Sequence, residues 1–204
     1  MDVELGTRDR ILAAAAEILR ADDGSTLSVR AIATRAGVGV GTLRHHFPTQ
    51  RGLLDAAFAH VYEEALPDDR ILDRSAPPRD RLRDSLRQLL NPVGVEAQAR
   101  EFWAGLFDGF ISPAVSSDAR DAYPAMERHA RMRVESWLAV LVEEGSLAPG
   151  DNTRRARFLL TVVNGLAVER ALPSDVPTLQ AESAVLSTAL DALPFLDGPG
   201  ARTP

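Results

Sequence analysis

Apolar residues in this chain recur at the period of an α-helix and almost nowhere at the period of a strand. Ile11, Ala14, Ala15, Ile18 and Leu19 fall at i, i+3, i+4, i+7 and i+8, which lines one face of a helix. Leu53, Leu54, Ala57, Phe58 and Val61 share one face in the same way. No run of alternating β-branched residues reads as a strand, so the fold class is all-α. With 204 residues the chain is long enough to bury a full core without staples. Aromatic residues make up 5%, so that core must be mostly Leu, Ala and Val.

Breakers divide the pattern into separate helices. The first takes Thr7 as N-cap, carries Asp9 in its first turn and stops at Asp22-Asp23-Gly24-Ser25. The second runs from Ser28 as cap to about Ala36, and Gly37 ends it in the left-handed conformation. The third runs from Gly39 or Val40 to Phe47, where Pro48-Thr49-Gln50 breaks it. A connecting helix spans about 50–66 and ends at Pro67, and residues 67–79 read as a linker or loose turn. Helices follow near 80–91, 95–111, 117–145, 152–172 and 177–193. Pro124 should kink or restart the helix at 117–145. The tail, 197–204, is expected to be disordered.

Composition excludes several kinds of chemistry. There is no Cys, so a disulfide scaffold, a thiolate zinc site and a thiol nucleophile are ruled out. All 23 basic residues are Arg, which rules out a Schiff-base lysine and a P-loop lysine. His45 and His46 are adjacent on a helix and point about 100° apart, so they do not chelate a metal together. No spaced carboxylate pair, nucleophile set or phosphate loop stands in the later helices. The chain therefore does not read as an enzyme, and no cofactor or metal is expected. The longest charge-free stretch, Phe158 to Val168, is far short of a bilayer span. Met1-Asp2-Val3-Glu4 lacks the order of a secretory signal. A soluble cytoplasmic protein without a membrane partner is the expectation.

Charge is unevenly placed. The net charge is −6, yet residues 1–52 hold seven Arg against six acids, while 53–204 hold sixteen against twenty-three. Between Asp23 and Asp55 there is no acidic residue, and that window contains Arg30, Arg35, Arg44, His45, His46 and Arg51. A local positive patch is the footprint of a surface that meets phosphate. A gap of this length also arises by chance in a chain of this acid content.

Three short helices with a tight turn, Ala36-Gly37-Val38-Gly39, between the second and third describe a helix-turn-helix over 28–47. The third helix must begin with small or polar residues to approach base edges in the major groove. Val40, Gly41 and Thr42 are small, and Arg44, His45 and His46 are polar. Leu43 and Phe47, four apart, anchor it to the core. Gly39 and Gly41 predict a weakly held helix start.

The run Leu27-Ser28-Val29-Arg30-Ala31-Ile32-Ala33-Thr34-Arg35-Ala36-Gly37-Val38-Gly39-Val40-Gly41-Thr42-Leu43-Arg44-His45-His46-Phe47, followed by Pro48-Thr49-Gln50-Arg51-Gly52-Leu53-Leu54, resembles the DNA-binding domain of TetR/AcrR-family transcriptional regulators. The likeness extends back through Ile11-Leu12-Ala13-Ala14-Ala15. Val142-Glu143-Glu144-Gly145-Ser146-Leu147 and Val163-Asn164-Gly165-Leu166-Ala167 resemble the family's regulatory domain more weakly.

This resemblance implies a DNA-binding domain over 1–52 and a ligand-binding and dimerisation domain over 53–196. It implies a homodimer on a palindromic DNA operator, usually a repressor, released by a small-molecule inducer. Ser28 and Arg30 are implied DNA contacts, with Val40, Gly41 and Thr42 at the reading end of the third helix. Arg44 stands where the family usually has a phosphate-contacting Tyr. His45 and His46 match positions that touch backbone or base. Gln50 stands where a phosphate-binding Lys is usual, and Arg51 beside it can substitute. An adaptor of the same fold with weakened DNA binding is the alternative that residues 44 and 50 keep open.

Phe102, Trp103, Leu106, Phe107 and Phe110 form one aromatic stripe, and Met126, His129, Met132, Arg133 and Trp137 lie on a later helix. Most read as ordinary core. The resemblance implies that the same helices enclose a ligand cavity, and Phe107, Phe110, Met126, His129, Arg133, Trp137 and Asn164 are its candidate lining. The helix at 152–172 is apolar almost all round and must be buried on more than one side. A dimer interface with the helix at 177–193, through Leu179, Val185, Leu186, Leu190 and Leu193, explains this better than burial in one subunit.

Overall fold

The computed structural model describes residues 6–20, 28–65, 68–108, 117–174 and 178–196. They form α1 (Thr7–Arg20), α2 (Val29–Arg35), α3 (Val40–His46), α4 (Gln50–Ala65), α5 (Asp69–Leu72), α6 (Pro78–Gln88), α7 (Ala97–Leu106), α8 (Ser117–Glu143), α9 (Asn152–Glu169) and α10 (Thr178–Asp191). A 3-10 turn, Asn91–Val93, precedes α7. The one strand-type pairing among the described residues is an isolated antiparallel bridge between Leu147 and Phe195. The fold is all-α. None of the described helices is long and apolar enough to cross a membrane. The chain divides into two compact units, Met1–Ala65 with Ala104–His129, and Leu66–Trp103 with Ala130–Pro204.

In the first unit, Ile11, Leu12, Ala15 and Ile18 of α1 meet Ile32, Ala33, Leu43, Phe47, Leu53 and Ala57 in one core. Burying a side chain of Leu or Phe size contributes about 1.5–3 kcal/mol. Leu53 and Ala57 belong to α4, so this unit continues past residue 52. The carbonyl of Gly6 accepts from the Arg10 N–H at 3.0 Å, so Thr7 is the first helical residue rather than the cap. The expected stop at Asp22–Ser25 lies outside the described residues.

α2 begins where the Ser28 Oγ accepts the Ala31 N–H at 3.1 Å. It ends in two hydrogen bonds that wrap backward, Gly37 N–H to Thr34 O and Val38 N–H to Ala33 O. That wrap needs a left-handed residue, and Gly37 supplies it at φ 64°. Val38 packs against the core just beyond. The glycines do not stop α3 from forming at Val40, where the Gly39 carbonyl accepts the Leu43 N–H at 3.0 Å. Thr49 then caps α4, its Oγ1 accepting the Gly52 N–H at 3.1 Å.

The structure corrects three expectations. α5 lies inside the stretch read as a linker, because Ile71 is fully buried and its carbonyl accepts from the Arg81 guanidinium at 2.8 Å. α8 runs through Pro124 without a restart. A proline removes one N–H from the ladder, and a helix of 27 residues absorbs that loss. Leu186, Leu190 and Leu193 are buried within the chain itself. In the single chain one face of α9 stays open, with Phe158 44% exposed and Val168 41%. The end of α9 is fixed to α10 by Arg170, whose buried guanidinium binds the Glu182 carboxylate and donates to the carbonyls of Leu90 and Gly94. At the other end, Ala148 N–H donates to Pro194 O at 3.0 Å and Leu196 N–H to Ser146 O at 2.9 Å. The expected disordered tail, 197–204, lies outside the described residues.

Candidate nucleic-acid interface

α3 is divided sharply between an inner and an outer side. Leu43 and Phe47 are buried, as their spacing predicts. Gly41, Thr42, Arg44 and His45 are exposed, and Val40 and His46 are half-buried. A Cβ built on Gly41 would meet no atom within 4 Å, and one on Gly39 only the Thr42 Oγ1 at 3.9 Å. Neither glycine is required by the packing of this chain. What they leave is room for something outside it to approach the helix backbone closely. The His45 and His46 rings meet edge to face, with centroids 5.6 Å apart.

Arg30 is exposed on α2 and borders a shallow concavity with Ile18, Ala31, Thr34 and Arg35. Arg35 pairs with Glu17 at 3.2 Å, whereas Arg30 and Arg44 have no carboxylate partner among the described residues. The Ser28 oxygen is committed to capping α2, which leaves its hydroxyl proton to donate. Gln50 opens α4 half-buried, and its Nε2 is shielded with no acceptor among the described residues. Arg51 is exposed, with its Nε 3.9 Å from the Asp55 carboxylate. One further cation escapes sequence reasoning. The Arg8 guanidinium lies over the Phe47 ring, 5.4 Å from its centroid.

Asp55 is a second focus of charge. It accepts a hydrogen bond from Arg128, and the His129 Nε2 stands 3.8 Å from the same oxygen. Burial holds the His129 imidazole below its ordinary value, with Arg128 adding to the depression and Asp55 opposing it.

The candidate ligand residues fall in different units. Phe107, half exposed, and Met126 and His129, both half-buried, belong to the first. Phe110 lies outside the described residues. In the second unit Trp137 is fully buried and its Nε1 donates to the Asp68 Oδ1 at 2.8 Å. Arg133 reaches that oxygen at 3.1 Å and stands 6.0 Å from the Trp137 ring centroid. Asp68, inside the stretch read as a linker, therefore orients both. Asn164 is exposed on α9.

A family model described as bacterial regulatory proteins of the tetR family matches residues 11–57. The HTH-type transcriptional regulator CymR of Pseudomonas putida is 31% identical over 177 residues, which cover 83% of this chain and 81% of that one. The chain belongs to the TetR family. A TetR-family chain is a DNA-binding transcriptional regulator rather than an enzyme. The TetR-family match runs from Ile11 to Ala57, both core residues of the first unit. The HTH-type transcriptional regulator PksA of Bacillus subtilis is 29% identical over 149 residues, 71% of this chain and 69% of its own. A solved TetR-family regulator from Rhodococcus sp. superposes with a TM-score of 0.55 at 23% identity, covering 92% of this chain and 98% of that one. That likeness speaks for the TetR fold alone.

Proposed function

We propose that this chain is a cytoplasmic, ligand-responsive repressor that binds a palindromic operator as a homodimer and is released by a small molecule. The observation that carries the reading is the outer side of α3. It is free of packing duty, backed by a closed core, and flanked by Arg30 and Arg44 without carboxylate partners among the described residues. Arg30, Val40, Gly41 and Thr42 read base edges, Arg44 and Arg51 hold the backbone, and His45 and His46 touch backbone or base, with Ser28 and Gln50 at the margin. Residues 1–52 do the reading, and 53–196 bind the ligand and dimerise.

The dimer forms through the open face of α9 and α10. Phe158, Val162, Ala184, Val185, Thr188, Ala189 and Ala192 line a shallow apolar groove there. A patch of this kind meets its own copy across a two-fold axis. Ligand binding favours the dimer state whose two α3 helices no longer match successive major grooves. Phe107, Phe110, Met126, His129, Arg133, Trp137 and Asn164 remain the proposed ligand contacts.

The test is selection of bound fragments from the source genome by the purified protein at near-physiological salt. A recovered palindrome is the expected result. No enrichment over random fragments, with and without candidate ligands, would overturn the operator reading. The second reading is an adaptor with weakened DNA binding, favoured by the neutral Gln50 and its shielded amide.

A further inference from the structure

The start of α4 offers phosphate little free charge. Gln50 is neutral and its Nε2 is shielded. Arg51 lies within reach of Asp55, which weakens its pull on an anion. A cation stands close by on another element. Arg8, in the first turn of α1, places its guanidinium over Phe47, the residue that closes α3 just before Pro48 and Thr49.

That seat has consequences for what Arg8 can do. A guanidinium lying over a ring keeps its N–H donors, which lie in its own plane. Arg8 is exposed and has no carboxylate partner among the described residues. The ring is buried in the core and cannot swing away. The charge is therefore held at the α3–α4 junction without being neutralised. We infer that Arg8 is a DNA-phosphate ligand of this protein, seated by Phe47 and supplying at that junction the charge that Gln50 lacks. Arg8 precedes the segment matched by the family model, which begins at Ile11. The inference rests on the operator reading above.

The experiment measures affinity for the selected operator and for an unrelated duplex between 50 and 200 mM salt, using the full chain. Each lost phosphate contact lowers the slope of log K against log salt by about 0.9, so Arg8→Ala in a dimer lowers it by about 2. Its deficit relative to the parent then changes about tenfold across that range. The loss should be equal on both duplexes, and base preference should be unchanged. Arg8→Lys should keep the slope, and Phe47→Leu, which removes the seat and keeps an apolar anchor, should lower it in part. Thermal melting of each variant separates these losses from unfolding. An unchanged slope in Arg8→Ala, in a parent that binds DNA, overturns this inference alone. Loss confined to the operator with altered base preference overturns it in favour of base reading. A parent that binds neither duplex overturns the operator reading and this inference with it.

Discussion

Asp55, on α4, accepts a hydrogen bond from the Arg128 guanidinium on α8. The same carboxylate faces Arg51 and the His129 imidazole, so one anion serves two guanidinium groups and a neighbouring histidine. His129 reports on the arrangement, because its imidazole is held below the ordinary 6.5 first by burial and then by Arg128, against the pull of Asp55. Asp55→Asn should lower its pKa further, and Arg128→Ala should raise it. Proton NMR titration of the imidazole resonances reads both directions. A folded-state value below the unfolded one means stability is present above 6.5 and is lost as pH falls through the folded value. His129→Gln should flatten that loss in melts taken between pH 7 and 5.

Arg30 tests whether α2 helps to read sequence. If Arg30 bonds a base edge, Arg30→Ala costs about 1–3 kcal/mol of specific affinity and relaxes preference at one position in each half-site. Arg44→Ala should weaken binding across all sequences and flatten the salt dependence. Competition against a library of single-base operator variants checks both. An Arg30→Ala protein with the parent's affinity and preferences would remove Arg30 from the interface.

In the second unit, Arg81 and Arg74 hold the Glu144 carboxyl below its ordinary 4.5, the Arg81 hydrogen bond being the larger cause. Arg81 itself is buried and also binds the Ile71 carbonyl. A carboxylate with a lowered folded-state value adds stability that is present above 4.5 and lost as pH falls. Glu144→Gln should cost about 2 kcal/mol at neutral pH, the scale of a hydrogen bond to a charged group. The gap between parent and variant should close in denaturant melts as pH falls below 4.5 through the lowered folded-state value. A gap independent of pH would mean that the charge on Glu144 contributes nothing.

Phe158 and Val185 are 44% and 40% exposed in the single chain, so a charge at either costs little there. Phe158→Asp combined with Val185→Asp should leave the melt of the chain nearly unchanged and convert the dimer to a monomer by light scattering at micromolar concentration. Operator affinity should fall with it, since two half-sites no longer act together. A parent already monomeric under those conditions would remove the dimer from the account.

The helix-turn-helix was legible because everything that shapes it is local. Ser28 capping Ala31, Gly37 closing α2, and Leu43 with Phe47 on one side of α3 all lie within a few residues of their partners. The second unit was less legible because its decisive contacts are remote. Ile71 is buried by packing of α5 on α6, and Asp68 owes its part to Trp137, 69 residues away, so 67–79 looked like a linker. On α10, Leu186 and Val185 are both apolar neighbours, and no period says which faces inward when a helix is apolar on two sides. The seat of Arg8 on Phe47 joins residues from two helices that only the tertiary core brings together.

The hairpin of α9 and α10 is closed twice, by Arg170 with Glu182 near its bend and by the strand-like clasp of Ser146–Ala148 with Pro194–Leu196 at its mouth. Its outward surface is thus shaped before any second chain arrives. Association through it involves little freezing of backbone, and that freezing is one of the main penalties of binding. Two such chains should meet as finished parts, with subunit exchange governed by how fast rigid faces separate rather than by unfolding.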